Sequence, residues 1–231
     1  MQKEQTFQTK DSQLNYLLYL PQALQKHESK QWPLLLFLHG AGERGDHLDL
    51  VKLHGVAKIV DNEEDFPFIA VSPQCPEDSY WNQELDALSG LLDDIVQNYP
   101  VDTDRIYLTG LSMGGIGAWH LALRYPKRFA AFAPICGALS IPDFRREQLQ
   151  LTTDTDALLG NVKLLKHLPI WAFHGDQDEV VPIEETITII ESLKAIGGDA
   201  KLTIYEGVGH DAWTETYENP DLYRWFLQHS R

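Results

Sequence analysis

Cysteine is scarce in this 231-residue chain: Cys75 and Cys136 are its only two, too few and too far apart for a disulfide framework or a thiolate metal site. Positive charge is also short, with 19 Lys and Arg against 34 Asp and Glu and a formal net charge of −15. That balance repels phosphate backbones and anionic lipid surfaces, whose binding depends on clustered cations releasing counterions. Nucleic-acid and membrane partners are therefore not expected. No apolar run approaches bilayer-spanning length, and the opening MQKEQTFQTK lacks the apolar centre of a secretory leader. The expected location is the cytoplasm. No Pro-, Gly- or Ser-rich linker divides the chain, and no internal repeat is visible. Among the histidines, His47 and His54 have acidic neighbours but no zinc-type spacing, so neither a metal nor a cofactor is expected.

What is present is ordinary globular usage, 43% hydrophobic and 23% charged, which excludes disorder. A chain of this size buries roughly 70% of its unfolded surface, so residues 1–231 are expected to form one domain without staples. Two segments, Thr6–Thr9 and Leu14–Leu20, flank a polar turn and read as a hairpin. Short, almost unbroken apolar runs follow: Leu34–Leu38, Phe68–Val71, Ile106–Thr109, Ala130–Ile135 and Ile170–Phe173, with Lys201–Tyr205 as a further strand. Runs without alternation suit strands buried on both faces of a parallel sheet. Helical patterns alternate with them at Glu84–Tyr99, Gly115–Tyr125, Ile183–Ile196 and Asp221–His229, stopped respectively by Pro100, Pro126 and Gly197-Gly198 for the first three. The expected fold is α/β, a mostly parallel central sheet with helices on both faces.

The sharpest motif is Gly110-Leu111-Ser112-Met113-Gly114, set between an apolar strand and a helix. A serine on such a turn is forced into a strained backbone, and glycines two residues away avoid collision with the adjoining strand and helix. The turn lifts the hydroxyl clear of the sheet, and the helix start behind it offers N–H groups and a positive dipole to an oxyanion. The N–H of Met113, the residue after the serine, is the first expected donor. A nucleophilic serine needs a base and an acid to orient that base. Ile170–Phe173 leads into His174-Gly175-Asp176-Gln177-Asp178-Glu179-Val180-Val181-Pro182, with two acids at the strand's carboxyl edge. Lys201–Tyr205 leads into Glu206-Gly207-Val208-Gly209-His210, a histidine on a glycine-flexed loop.

With His39-Gly40-Ala41-Gly42-Glu43-Arg44-Gly45 added to these segments, the chain from about Leu34 onward resembles the α/β-hydrolases. The resemblance is to their dienelactone-hydrolase-like, phospholipase/carboxylesterase and feruloyl-esterase-like branches. It implies Ser112 as nucleophile, His210 as base and Asp178, rather than Asp176, as acid, from the pattern Gly-x-x-Asp-x-x-Val-Pro. It also implies the N–H of Ala41 as the second oxyanion donor. Dienelactone hydrolase proper carries cysteine at the elbow; Ser112 here points instead to ordinary esters.

Other histidines read as structural: His39 as a group that orders the oxyanion loop, His174 as a structural hydrogen bond, His120 as packing. Trp81, after a strand on the same edge, and Trp213, three residues beyond His210, are the candidate substrate-pocket walls. Residues 137–168, with Phe144-Arg145-Arg146, form a possible short cap. The expected function is a serine carboxylesterase acting on small acyl or aromatic esters through an acyl-enzyme. A lysophospholipase or acyl-thioester hydrolase is the alternative, and a serine peptidase or non-catalytic binding protein the distant one. The only expected partner is a small-molecule ester; oligomeric state is not legible.

Overall fold

The computed structural model describes residues 2–10, 12–26, 30–63, 65–139 and 159–231. Eight strands form one sheet: β1 (Lys3–Gln8), β2 (Gln13–Tyr19), β3 (Trp32–Leu38), β4 (Ile69–Pro73), β5 (Val101–Leu111), β6 (Ala131–Ile135), β7 (Ile170–Gly175) and β8 (Ala200–Tyr205). Their order is β1-β2-β4-β3-β5-β6-β7-β8. The hairpin β1–β2 and the β2–β4 pair are antiparallel; from β4 to β8 every neighbouring pair is parallel.

The helices include α1 (Gly55–Asn62), α2 (Leu85–Asn98), α3 (Met113–Arg124), α4 (Ile183–Ala195), α5 (Trp213–Glu218) and α6 (Pro220–Phe226). They explain why the strands carry unbroken apolar runs. On β3, Leu34, Leu36 and Leu38 enter a core with Leu88 of α2, Trp119 of α3 and Ile189 of α4. The alternate residues Leu35 and Phe37 enter a second core with Val56 of α1, Tyr217 of α5 and Phe226 of α6. With both faces covered, neither set of alternate positions can be polar. At the end of α4, Gly197 takes φ +75°. The N–H groups of Gly197 and Gly198 close the last turn on Lys194 O and Leu193 O, both at 2.9 Å.

Several elements differ from the sequence reading, among them β5, which begins at Val101 rather than Ile106, and α6, which ends at Phe226 rather than His229. β1 begins at Lys3 rather than Thr6, because its polar residues pair with Leu18 and Leu17 through the backbone on an exposed edge. Helices α1 and α5 carry no strong signal: one has eight residues and starts on glycine, the other has six, largely polar. Of the possible cap at 137–168, residues 140–158, including Phe144, Arg145 and Arg146, lie outside the described residues. Val162 and Leu165, in a 3-10 turn, pack into the core. Among the described residues, no helix is long and apolar enough to cross a membrane.

Candidate active site

β5 ends at Leu111 and α3 begins at Met113; between them Ser112 has φ +52° and ψ −119°. A non-glycine residue there stores roughly 1–3 kcal/mol of backbone strain. The flanking glycines allow it: a Cβ on Gly114 would lie 2.0 Å from Leu38 O, and one on Gly110 2.4 Å from Gly114 O. Ser112 N–H bonds Ile135 O at 3.0 Å, which pins the turn to β6.

The serine hydroxyl meets the loop after β8. Ser112 Oγ lies 2.8 Å from His210 Nε2, and His210 Nδ1 lies 2.7 Å from Asp178 Oδ2. The N–H groups of Val180 and Val181 both donate to Asp178 Oδ1 at 2.9 Å. Burial alone would raise the Asp178 pKa. Hydrogen bonds from His174, His210 and the backbone of Val181 and Val180 outweigh it and hold the carboxyl well below the usual carboxylate range. An ionised Asp178 fixes His210 with its proton on Nδ1 and its lone pair toward the serine. Asp176 does not touch His210. Its Oδ1 accepts from Gly207 N–H at 2.7 Å, so it shapes the loop that carries the histidine.

The loop expected to carry the second oxyanion donor follows β3. Ala41 opens a short turn, Ala41–Glu43, and Met113 is the first residue of α3. A Cβ on Gly40 would lie 3.8 Å from Ser112 Cβ, so the main chain of this loop runs against Ser112. First-turn N–H groups of a helix have no intrahelical acceptor; those of Met113 and Ala41 can therefore serve a ligand oxygen. Four side chains hold the loop. His39, wholly buried, donates from Nδ1 to Gly40 O at 2.6 Å and accepts Cys75 N–H on Nε2 at 3.0 Å. Arg44 donates to Ala41 O at 3.1 Å and also to Glu77 O and Ser79 O. Gln74 donates to Glu43 O at 2.8 Å. Trp81 donates from Nε1 to His39 O at 2.9 Å.

That last contact corrects one expectation. Trp81 is 0% exposed, beneath the loop rather than on a cleft wall, because its indole is needed to pair a buried carbonyl and its ring packs on His39. Trp213 is half-buried, with its ring edge-to-face on His210 at 5.2 Å and on His54 at 5.7 Å. His120 packs against Leu139 O, and burial lowers its pKa. Sequence reasoning missed Arg44, Gln74 and Glu43. The only signal for them was the charged pair Glu43-Arg44 in an otherwise small-residue loop. Among the described residues, one trio could offer ligands to a metal: Cys136, Asp178 and His210, with ligand atoms within 4.8 Å of one another. Two of its members are already bonded to each other.

The sheet order, the strained serine after β5 and the acid and histidine after β7 and β8 place the chain among the α/β-hydrolases. The model of the phospholipase/carboxylesterase family matches residues 47–220, and the chain belongs to that family. A thermostable esterase of solved structure is 30% identical, with a TM-score of 0.81, over 100% of this chain and 63% of its own. A bifunctional acetylxylan esterase/xylanase of Neocallimastix patriciarum is 27% identical over 66% of this chain and 20% of its own. An acyl-protein thioesterase 1 of Gibberella zeae is 23% identical over 84% of this chain and 90% of its own. A ferulic acid esterase structure, 21% identical with a TM-score of 0.70 over 98% of this chain and 96% of its own, shares the fold. The chain spans about a fifth of the length of the acetylxylan esterase/xylanase it matches.

Proposed function

We propose that the protein is a serine carboxylesterase that hydrolyses small acyl or aromatic esters through an acyl-enzyme. The observation that carries this reading is the unbroken hydrogen-bonded line from Ser112 Oγ through His210 to Asp178. As Ser112 Oγ forms a bond to the acyl carbon, His210 Nε2 takes its proton. The carbonyl oxygen gathers negative charge and is met by the N–H groups of Met113 and Ala41. When the tetrahedral centre collapses, His210 returns the proton to the departing alcohol. Water then enters and gives a proton to His210 as its oxygen bonds the acyl carbon; the Ser112 Oγ–acyl bond breaks as His210 returns that proton to Oγ, and the acid leaves. Asp178 holds the imidazole tautomer and stabilises the cation formed at each step. Trp213, edge-on to His210, is the proposed wall against the ester. A short cap from 137–168 at the edge of a single 1–231 unit belongs to the same reading, as does a cytoplasmic location, with Cys75 and Cys136 as free thiols.

A p-nitrophenyl ester series from acetate to dodecanoate, with a feruloyl ester, tests the proposal. The native chain should turn over the short or aromatic members. Ser112→Ala should lose at least about 10⁴-fold in kcat with its fold intact; full activity in that variant overturns the assignment. The similarity to an acyl-protein thioesterase along most of both chains favours thioesters as the second reading. Serine-dependent turnover of acyl thioesters, with none on any oxygen ester, would select it.

A further inference from the structure

His174 is wholly buried at the end of β7 and lies outside the steps just described. Its Nε2 is 2.9 Å from Val181 O and 3.2 Å from Asp178 Oδ2. Both neighbours are acceptors, so Nε2 carries a hydrogen and shares it between them. Its Nδ1, then an acceptor, is 2.8 Å from Thr186 Oγ1, which lies 2.8 Å from Gly137 O as well, so the one hydroxyl hydrogen is shared between the ring nitrogen and that carbonyl. Gly137 in turn lies against the helix behind the nucleophile: a Cβ placed on it would be 2.8 Å from Gly115 C.

We propose that His174 is a positioning residue for the triad acid, its Nε2–H fixing Asp178 Oδ2 in line with His210 while Thr186 ties the pair to Gly137 beside the nucleophile helix. The proposal rests on the assignment of Ser112, His210 and Asp178 above. The need for it is geometric. The N–H groups of Val180 and Val181 hold only Oδ1, and a carboxylate anchored at one oxygen still turns about its Cβ–Cγ bond. His210 cannot supply the second anchor, since it sits on a loop between Gly209 and exposed Asp211 and is itself the group to be oriented. His174 stands on a strand paired on both sides, by β6 and β8, with both ring nitrogens in hydrogen-bond reach of partners. Displacement of a catalytic group by about 1 Å can cost about 10²-fold in rate.

The second donor also acts on charge. It spreads the negative charge on Oδ2 and so weakens the hold of Asp178 on the His210 Nδ1 proton. Without it, the attraction between Asp178 and the charged imidazole strengthens, and the acidic limb of the rate profile moves upward. The titratable groups facing this pair are Asp178, His210 and the Cys136 thiol, whose pKa burial pushes far up, so that it stays neutral through that limb.

The test measures kcat, KM and thermal midpoint for the full chain on p-nitrophenyl acetate from about pH 5 to about pH 9. His174→Met, which keeps the bulk and removes the donor, should lower kcat about 10–100-fold with KM within about twofold. Its acidic limb should rise by about half a pH unit or more. His174→Gln, whose amide N–H can reach Oδ2, should recover most of kcat and return the limb. Thr186→Val should fall between them. An unmoved limb in a folded His174→Met variant, with activity lost only in step with the folded fraction, overturns the proposal. If that variant does not fold, an unmoved limb in Thr186→Val together with equal losses in His174→Gln does so. Ser112→Ala runs beside them: activity that survives it defeats the triad assignment itself, whereas Ser112-dependent activity with unmoved limbs defeats only the role of His174.

Discussion

Two segments at the carboxyl edge of the sheet share the pattern His-Gly-x-x-acid: His39-Gly40-Ala41-Gly42-Glu43 after β3 and His174-Gly175-Asp176-Gln177-Asp178 on β7. In both, the histidine is wholly buried. In both, it faces the acid four residues on, at 3.7 Å in the first and 3.2 Å in the second. Their hydrogen bonds run in opposite senses. His39 receives an N–H on Nε2, and Glu43 Oε2 is buried with no hydrogen-bond partner among the described residues. His174 gives its Nε2 hydrogen to acceptors, and Asp178 is met by donors on both oxygens. Burial raises the Glu43 pKa against the opposing pull of His54 and of the Gly40 and Glu43 backbone, whereas at Asp178 hydrogen bonds overcome burial. One spacing thus builds a loop clamp at one strand end and the proposed catalytic acid at the other. What separates them is the pair of histidine hydrogen bonds, from His174 and His210, that Asp178 receives.

The contrast breaks most sharply on the acids. Asp178→Asn should lower kcat by about 10⁴-fold, since an amide permits the wrong His210 tautomer. Asp176→Asn should cost no more than about tenfold, through a looser Gly207 turn. Glu43→Gln should leave kcat within a few-fold and stability within about 1 kcal/mol, because burial opposes the ionised form of its carboxyl and a neutral amide fits the same site. Steady-state kinetics of the three variants decide this; a Glu43→Gln loss equal to that of Asp178→Asn would mean the two segments share a catalytic role.

The glycines after the two histidines give a smaller contrast. A Cβ on Gly175 would lie 2.2 Å from Val208 O and 2.3 Å from Gly209 O, backbone atoms of the loop that delivers His210. A Cβ on Gly40 would meet side chains first, Leu111 Cδ1 at 2.8 Å and Glu43 Oε2 at 3.1 Å, which can move. Gly175→Ala should therefore destabilise by about 3 kcal/mol and cost about 100-fold in kcat. Gly40→Ala should cost about 1 kcal/mol and about tenfold. Thermal midpoints and kcat for the pair test the ordering, and a reversed order would show that the oxyanion loop is the stiffer of the two.

Much of this was legible in residue order because it rests on local constraints. Strands sealed on both faces must be apolar throughout, as Leu34–Leu38 is, and a serine in a strained turn needs small residues where Gly110 and Gly114 stand. The hydrolase order of Ser112, Asp178 and His210 supplied the rest of the candidate site. Contacts made across long separations left no trace. Gln74 reaches the Glu43 carbonyl over 31 residues and Arg44 the Glu77 carbonyl over 33, and neither imposes a period on the sequence. An indole reads the same in a core as on a cleft, so the burial of Trp81 could not be foreseen. Thr186 looks like any helix-surface threonine until Gly137 is seen beside it.

The least disruptive contrast is acid titration, which should leave neutral-pH activity untouched. Burial lowers the His39 pKa to about 4, because protonation would put a cation out of water and cost Nε2 the Cys75 N–H. The unfolded chain takes that proton near 6.5, so between these values it binds more protons than the folded one, and stability falls as pH drops through the window. The full loss amounts to about 3 kcal/mol. Glu43 acts with the opposite sign: its raised pKa means the folded state holds the proton more tightly, so falling pH stabilises there. Asp178 contributes only lower, where its depressed carboxyl loses stability below the ordinary carboxylate range. Urea midpoints at pH 7, 5.5 and 4 should therefore fall more steeply for the native chain than for His39→Gln, and more steeply still for Glu43→Gln, which removes the opposing group. Equal slopes in all three would mean that the proton enters elsewhere, and the buried, neutral His39 that separates the two segments would have to be abandoned.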